Sequence, residues 1–214
     1  MDEDIAGLRR QAARMAVVTG LARPVQHDIN NLLTVVFANL ELLKRTAAAG
    51  GPQRQLDRIQ EAAKRFERST RAMLSMIRRV PVGPGVFRLS EMLTVLEPLL
   101  HLLLPTPGML SLDIAEDDWP VLAERAALEE ALLGLAQQTA EALGRGESLD
   151  ITLANRPGEG GAPDAVALCC RLPDGMAEEA LQALRRLLPE GESKEAGPGL
   201  RLHCFLLPRQ AEAE

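Results

Sequence analysis

The residues best placed to do chemistry stand together in His27-Asp28-Ile29-Asn30-Asn31-Leu32-Leu33-Thr34. An exposed imidazole is a competent nucleophile near neutral pH without large tuning of its pKa. Asp28 beside it can hold one ring nitrogen protonated and leave the other free to attack, the orienting task that an acid performs in a hydrolase triad. Asn31, one helical turn on, can position a water or a phosphoryl oxygen without adding repulsive charge. At about 100° per residue, Arg23, Asn31, Thr34 and Ala38 fall within about 40° of His27, whereas Leu32 and Val36 lie about 140° to 180° away. The face around His27 is therefore polar and small, and a partner's backbone can approach it closely. A lone histidine on a helix is usually just a surface residue. The adjacent acid, the two asparagines and the lack of bulky neighbours set this one apart.

The elements that must carry these residues are helical. Leu21, Val25, Ile29, Leu32, Val36, Leu40 and Leu43 recur at steps of three and four, which draws an apolar stripe down a helix from Asp2 to about Ala49. Pro24 removes one helical hydrogen bond just before His27 and is expected to kink that helix. Ala48-Ala49-Gly50-Gly51-Pro52 ends it, since Gly supplies a left-handed cap and Pro can open the next helix. Leu56, Ile59, Ala63, Phe66, Thr70, Met73 and Ile77 mark a second helix, which Pro81-Val82-Gly83-Pro84-Gly85 terminates. Two such helices form a hairpin with little core of its own, and stripes this long ask for a second hairpin. A dimeric four-helix bundle is the economical solution.

Past the Pro/Gly linker the texture changes. Helices are expected over 89–104, 125–143 and 177–188, and strands over 109–114, 149–154, 165–172 and 200–207, which is the pattern of a small α/β sandwich. Glu116-Asp117-Asp118-Trp119-Pro120 reads as a turn, with Trp119 anchoring a strand entry. The adjacent Cys169 and Cys170 should face opposite sides of their strand in structural roles. The expected organisation is α+β: a helical hairpin over 1–80, a linker over 81–86 and an α/β unit over 87–214.

Composition limits the function classes. The chain has 214 residues, 46% hydrophobic and 25% charged, which excludes wholesale disorder. Its net charge of −6 averages two unlike parts: fourteen Lys+Arg against eight Asp+Glu in residues 1–80, and ten against twenty-two in 81–214. An acidic chain with 2% aromatics is a poor nucleic-acid binder. No apolar run approaches a membrane span, and residues 1–20 carry acids and arginines where a signal peptide needs an apolar stretch, so the expectation is cytoplasmic. Three cysteines, two of them adjacent, suit neither a disulfide framework nor a zinc site. His101 and His203 lack acidic partners at useful spacing.

The segment from Met15 to Val36 resembles the phosphoacceptor helix of bacterial sensor histidine kinases. In the nearest branch the motif reads H-D-F-N-N-L-L-T, from which only Ile29 departs, and Asn39-Leu40-Glu41-Leu42-Leu43 continues the likeness. Pro24 stands where that branch usually has Gly. The resemblance implies that His27 is the phosphorylated residue, Asp28 the acidic helper and Asn31 the polar residue of dephosphorylation. Arg23, Asn30 and Thr34 would then meet the partner.

Phe87 to Met92, Trp119 to Ala123 and Leu128 to Leu133 resemble the kinases' ATP-binding domain, yet its nucleotide motifs are altered. The magnesium-holding Asn of its main helix is matched by Gln138. The D-x-G-x-G whose Asp reads adenine is matched by Arg171-Leu172-Pro173-Asp174-Gly175. The glycine-rich lid has no clear counterpart, and Gly197-Pro198-Gly199 runs directly into the last strand. Arg at the adenine-reading position removes an acceptor, and Pro in a phosphate loop removes an N–H. A phosphoacceptor dimer with a degenerate ATP-binding-like domain resembles the histidine phosphotransferases of the ChpT type. The resemblance implies a homodimer that takes phosphate from one response-regulator receiver domain onto His27 and hands it to another. Mg2+ would sit on the receiver, ATP binding is not expected, and the chain would hold no cofactor of its own. A divergent kinase that still uses ATP and a non-catalytic module that binds a kinase or receiver are the alternatives.

Overall fold

The computed structural model of the chain describes residues 2–47, 50–78, 83–104, 106, 108–144, 146–158, 160, 162–173, 178–188, 191–197 and 199–210, with the side chains of 2–21, 23, 142 and 178–180 left out. The chain divides into two units, Met1–Val80 and Pro81–Glu214. Among the described residues no helix is long and apolar enough to cross a membrane.

The first unit is a hairpin of α1 (Asp2–Thr46) and α2 (Gly51–Arg78). α1 is continuous through Pro24. The turn between the helices uses Gly50 at φ 111°, a left-handed conformation that favours glycine. Along α1 the buried or half-buried positions are Ala22, Gln26, Ile29, Leu33, Phe37, Leu40 and Lys44, and along α2 they include Gln53, Leu56, Gln60, Ala63, Glu67, Thr70, Leu74 and Ile77. Both rows step by three and four, the spacing of a coiled-coil seam. Lys44 closes the loop end, its Nζ 2.7 Å from Asp57 Oδ1 and donating to Gln60 Oε1.

The stripe expected from the sequence thus separates into two. Ile29 and Leu40 of α1, with Leu56, Ala63, Thr70 and Ile77 of α2, belong to the seam. Val25, Leu32, Val36 and Leu43, with Ile59, Phe66 and Met73, form a neighbouring row that the single chain leaves open, with Leu32 67% and Phe66 56% exposed. On α1 that row lies about 80° around the helix from the seam.

The second unit contains α3 (Leu89–Leu103), α4 (Arg125–Ala142) and α5 (Glu178–Leu187) with a five-stranded sheet. The strands are β2 (Leu110–Ile114), β4 (Leu149–Arg156), β5 (Ala165–Pro173), β7 (Leu200–Pro208) and β6 (Gly191–Gly197), in that spatial order. β2 runs parallel to β4, and the other pairs are antiparallel. A short ribbon pairs β1 (Gly85–Phe87) with β3 (Val121–Ala123), so Gly85 and Val86 of the expected linker are strand residues. Residues 81 and 82 lie outside the described ones.

Strand alternation divides the sheet into two faces. Ile151, Leu153, Val166, Leu168, Cys170, Leu172, Phe205 and Leu207 are all at most 2% exposed and share one face. The buried leucines of the helices, among them Leu93, Leu96, Leu128, Leu132, Leu181 and Leu184, complete this core. The opposite face carries a smaller apolar cluster of Ala167, Cys169 and Cys204 flanked by Leu202 and Leu206.

Asp118 joins the turn before β3 to the start of α3. It is fully buried, its Oδ2 accepts from the Ser90 backbone N–H at 3.2 Å, and its carbonyl accepts from Arg88. Asn155 secures the same turn, accepting from the Trp119 N–H at 3.0 Å and donating to the Asp117 carbonyl at 2.9 Å. Arg209 lies over the Trp119 ring at 4.9 Å. Within α4, Arg125 Nε donates to the buried carboxylate of Glu129 at 2.9 Å.

Two further features depart from the sequence reading. β6 was not expected, because Gly191-Glu192-Ser193-Lys194-Glu195-Ala196-Gly197 has the charge of a loop; those charges suit an edge strand. The three cysteines do include a disulfide, Cys169–Cys204, because residues distant in sequence stand opposite each other on β5 and β7.

Candidate functional site

α1 presents His27 on a third face, about 120° from the seam and about 140° to 180° from the open apolar row. The side chains of His27 and Asp28 are 75% and 81% exposed, with His27 Nδ1 3.7 Å from Asp28 Oδ1. Asn31 Nδ2 lies 3.2 Å from the same ring nitrogen. One nitrogen of the imidazole is thus bracketed by an acid and an amide, and the other, Nε2, is left to a reacting partner. As placed, the Asn31 amide N–H donates to Nδ1; a lone pair free on Nε2 requires the amide to present its oxygen to Nδ1–H instead.

The remaining residues expected to meet a partner divide. Asn30 and Thr34 are exposed. The Thr34 hydroxyl donates to the Asn30 carbonyl at 2.8 Å, so it already has a helical acceptor. The Arg23 side chain lies outside the described ones. The structure brings His27, Asp28 and Asn31 together and leaves Asn30 and Thr34 at their border.

In the second unit, α4 and α5 enclose a groove of about 350 Å³ lined by Ala127, Glu130, Ala131, Gly134, Gln138, Ala183, Arg186 and Leu187. Gln138 therefore faces a groove. Glu130 and Arg186 join it there, and the sequence reading had not singled them out. Only the packing of α4 on α5 could have found them.

Arg171 stands elsewhere. It occupies the register position opposite Asp150 on β4, with its Nε 2.7 Å from Asp150 Oδ2 and its Nη2 on the same oxygen. By strand alternation both belong to the sheet face that carries Cys169, away from the helical layer. The guanidinium at this position is already paired with a carboxylate. Asp174 and Gly175 lie outside the described residues. Gly197 at φ 144° and Gly199 at φ 69° flank the turn that joins β6 to β7, so their backbone freedom serves a hairpin. Among the described residues there is no cluster of three metal-ligating side chains.

The other histidines are accounted for locally. His101 Nε2 lies 3.8 Å from Glu97 Oε1, an acid one turn earlier that the sequence reading passed over. His203 is buried, with Nδ1 3.1 Å from Ser193 Oγ on the neighbouring strand.

Comparison with known proteins gives the chain a relationship. It is 31% identical over 166 residues to "Sensor kinase CckA" of Brucella abortus (strain 2308), a match spanning 77% of this chain. The chain is homologous to a segment of a sensor kinase. That segment is 17% of the kinase's length. No protein-family model matches the chain. Among solved structures, full-length ShkA in complex with AMPPNP aligns with a TM-score of 0.42 at 15% identity, over 89% of this chain and 46% of that one. The catalytic domain of the histidine kinase ThkA aligns at 0.41 and 16% identity, over 59% of this chain and 97% of that one. The histidine kinase AdeS of Acinetobacter baumannii aligns at 0.40 and 13%, over 86% and 98%.

Proposed function

We propose that this chain is a histidine phosphotransfer protein of a two-component phosphorelay, related to the ChpT type, with His27 as the carrier. The observation that supports it best is the exposed imidazole bracketed by Asp28 and Asn31 on a small polar face, within a chain homologous to part of a sensor kinase. A phospho-aspartyl receiver domain docks on the hairpin, and His27 Nε2 attacks the phosphorus in line. A P–N bond forms, the P–O bond to the aspartate breaks, and the carboxylate leaves with its electron pair. The reverse exchange loads a second receiver. Magnesium carried by the receiver neutralises the transferring oxygens, so the chain needs no metal of its own. Asn30 and Thr34 border the docking face, and Arg23, one turn before His27 in the sequence of α1, is the third residue we assign to it.

The open row of Val25, Leu32, Val36, Leu43, Ile59, Phe66 and Met73 supports a homodimer joined as a four-helix bundle. Its distance around α1 from His27 leaves the phosphoacceptor face clear in that assembly. We read the second unit as a degenerate ATP-binding-like domain, on the strength of Gln138 and the Asp150–Arg171 pair, and the protein as cytoplasmic.

The deciding experiment incubates the chain with a radiolabelled phospho-receiver. Label is expected on the wild type and not on His27→Ala, and a wild type that takes no label refutes the reading. A divergent kinase is the second reading, favoured by the name of the relative. It requires label transfer from ATP, and a flat thermal shift at millimolar nucleotide counts against it.

A further inference from the structure

We infer that Cys169 and Cys204 form a redox-active dithiol, opened and closed by exchange with a small thiol–disulfide couple that enters at Cys204. The two residues are register partners on β5 and β7 and are bonded across the strands. Both lie on the sheet face opposite the main core, 8% and 9% exposed. A recess of about 100 Å³ reaches Cys204 between Arg156, Glu192, Lys194 and Leu206, and Cys169 does not line it. Two cations against one carboxylate leave that recess positive. A positive recess draws in an anionic thiol such as glutathione. Cys170 is the internal contrast: it faces the main core, and burial pushes its thiol up to about 12.

The exchange balances. In closing, the Cys204 thiolate attacks one sulfur of R–S–S–R, the S–S bond breaks and one thiolate leaves, giving a mixed disulfide. The Cys169 thiolate then attacks the Cys204 sulfur and releases the second thiolate. Two protein thiols and one small disulfide become one protein disulfide and two small thiols, and opening is the reverse. The nine-residue register of β5 on β7 sets Cys169 opposite Cys204, so the exchange does not require the strands to part. The bond spans a sequence separation of 35 that contains α5 and β6, so closing it restricts the unfolded chain over that stretch. Disulfides of thiol-reducing compartments are typically transient or sensing, whereas those of oxidising compartments are structural.

The test equilibrates the folded full-length chain with reduced or oxidised glutathione, blocks free thiols and maps them by peptide mass. Cys169 and Cys204 are expected to be blocked together after reduced glutathione and neither after oxidised glutathione, with Cys170 protected in both. The oxidised protein should melt about 10 °C higher. A pair that stays bonded in reduced glutathione, or stays free in oxidised glutathione, overturns the inference. Single variants settle the entry point: Cys169→Ser should trap a glutathionyl adduct on Cys204, and Cys204→Ser should leave Cys169 unmodified. Equal trapping on the two overturns the entry at Cys204, and the wild-type map stands as the test should either variant fail to fold.

Discussion

Replacing Phe66 with Asp should dissociate the proposed dimer while leaving each hairpin folded. Phe66 is 56% exposed in the single chain and belongs to the open row, outside the seam that joins α1 to α2. A phenylalanine side chain carries about 200 Å² of apolar surface, so about 110 Å² per protomer is available for burial at a dimer interface. At about 25 cal/mol per Å², two symmetry-related copies contribute about 5 kcal/mol, before any cost of placing a carboxylate there. That weakens association by about three to four powers of ten. Sedimentation velocity over a concentration series measures it, and far-UV circular dichroism should show unchanged helix because Thr70, Ala72 and Leu74 keep their burial. A wild type that sediments as a monomer at tens of micromolar refutes the reasoning, as does a Phe66→Asp protein that associates as tightly as wild type.

Other outcomes follow from single contacts. Leu96→Ala, at a fully buried position of α3, should cost about 2–5 kcal/mol in urea denaturation. Asp118→Ala removes the acceptor that meets the Ser90 N–H and should cost about 1–2 kcal/mol, with Asp118→Asn recovering most of it. Arg171→Asp would set two carboxylates opposite each other on β4 and β5, so it should lower the melting temperature and bring no ATP-dependent thermal shift. Cys170 has a folded-state pKa raised from 9.0 to about 12. Its contribution is fully present below pH 9 and is lost as pH rises to 12, at up to about 1.4 kcal/mol per pH unit, because only the unfolded thiol ionises in that window. Subtracting the alkaline stability profile of Cys170→Ala isolates that slope.

Much of the hairpin was legible because helical spacing is a local property. The period of the apolar residues sets both helices, and the same angles put His27 and Asn31 on one face. What spacing alone could not decide was which of two adjacent rows meets the chain's own second helix. Ile29 and Val25 look alike in sequence, yet one belongs to the seam and the other to the open row. In the α/β unit the limit was register. Adjacent Cys169 and Cys170 must face opposite ways, but only the alignment of β5 with β7 brings Cys204 to Cys169. Likewise, the charge of Arg171 was readable, whereas its partner Asp150 is set by the pairing of β4 with β5. The strand at Gly191–Gly197 escaped because its backbone bonds to β7 while its side chains, mostly charged, meet water.

The Asp150–Arg171 pair constrains how this sheet face can be altered. The two residues are register partners on β4 and β5, and the guanidinium is already engaged by the carboxylate. An acid placed at 171 while Asp150 remains sets two like charges opposite each other, and neutralising Asp150 alone strands the arginine. The two positions therefore change together at less cost than either does singly, and neither can be treated as an independent surface residue.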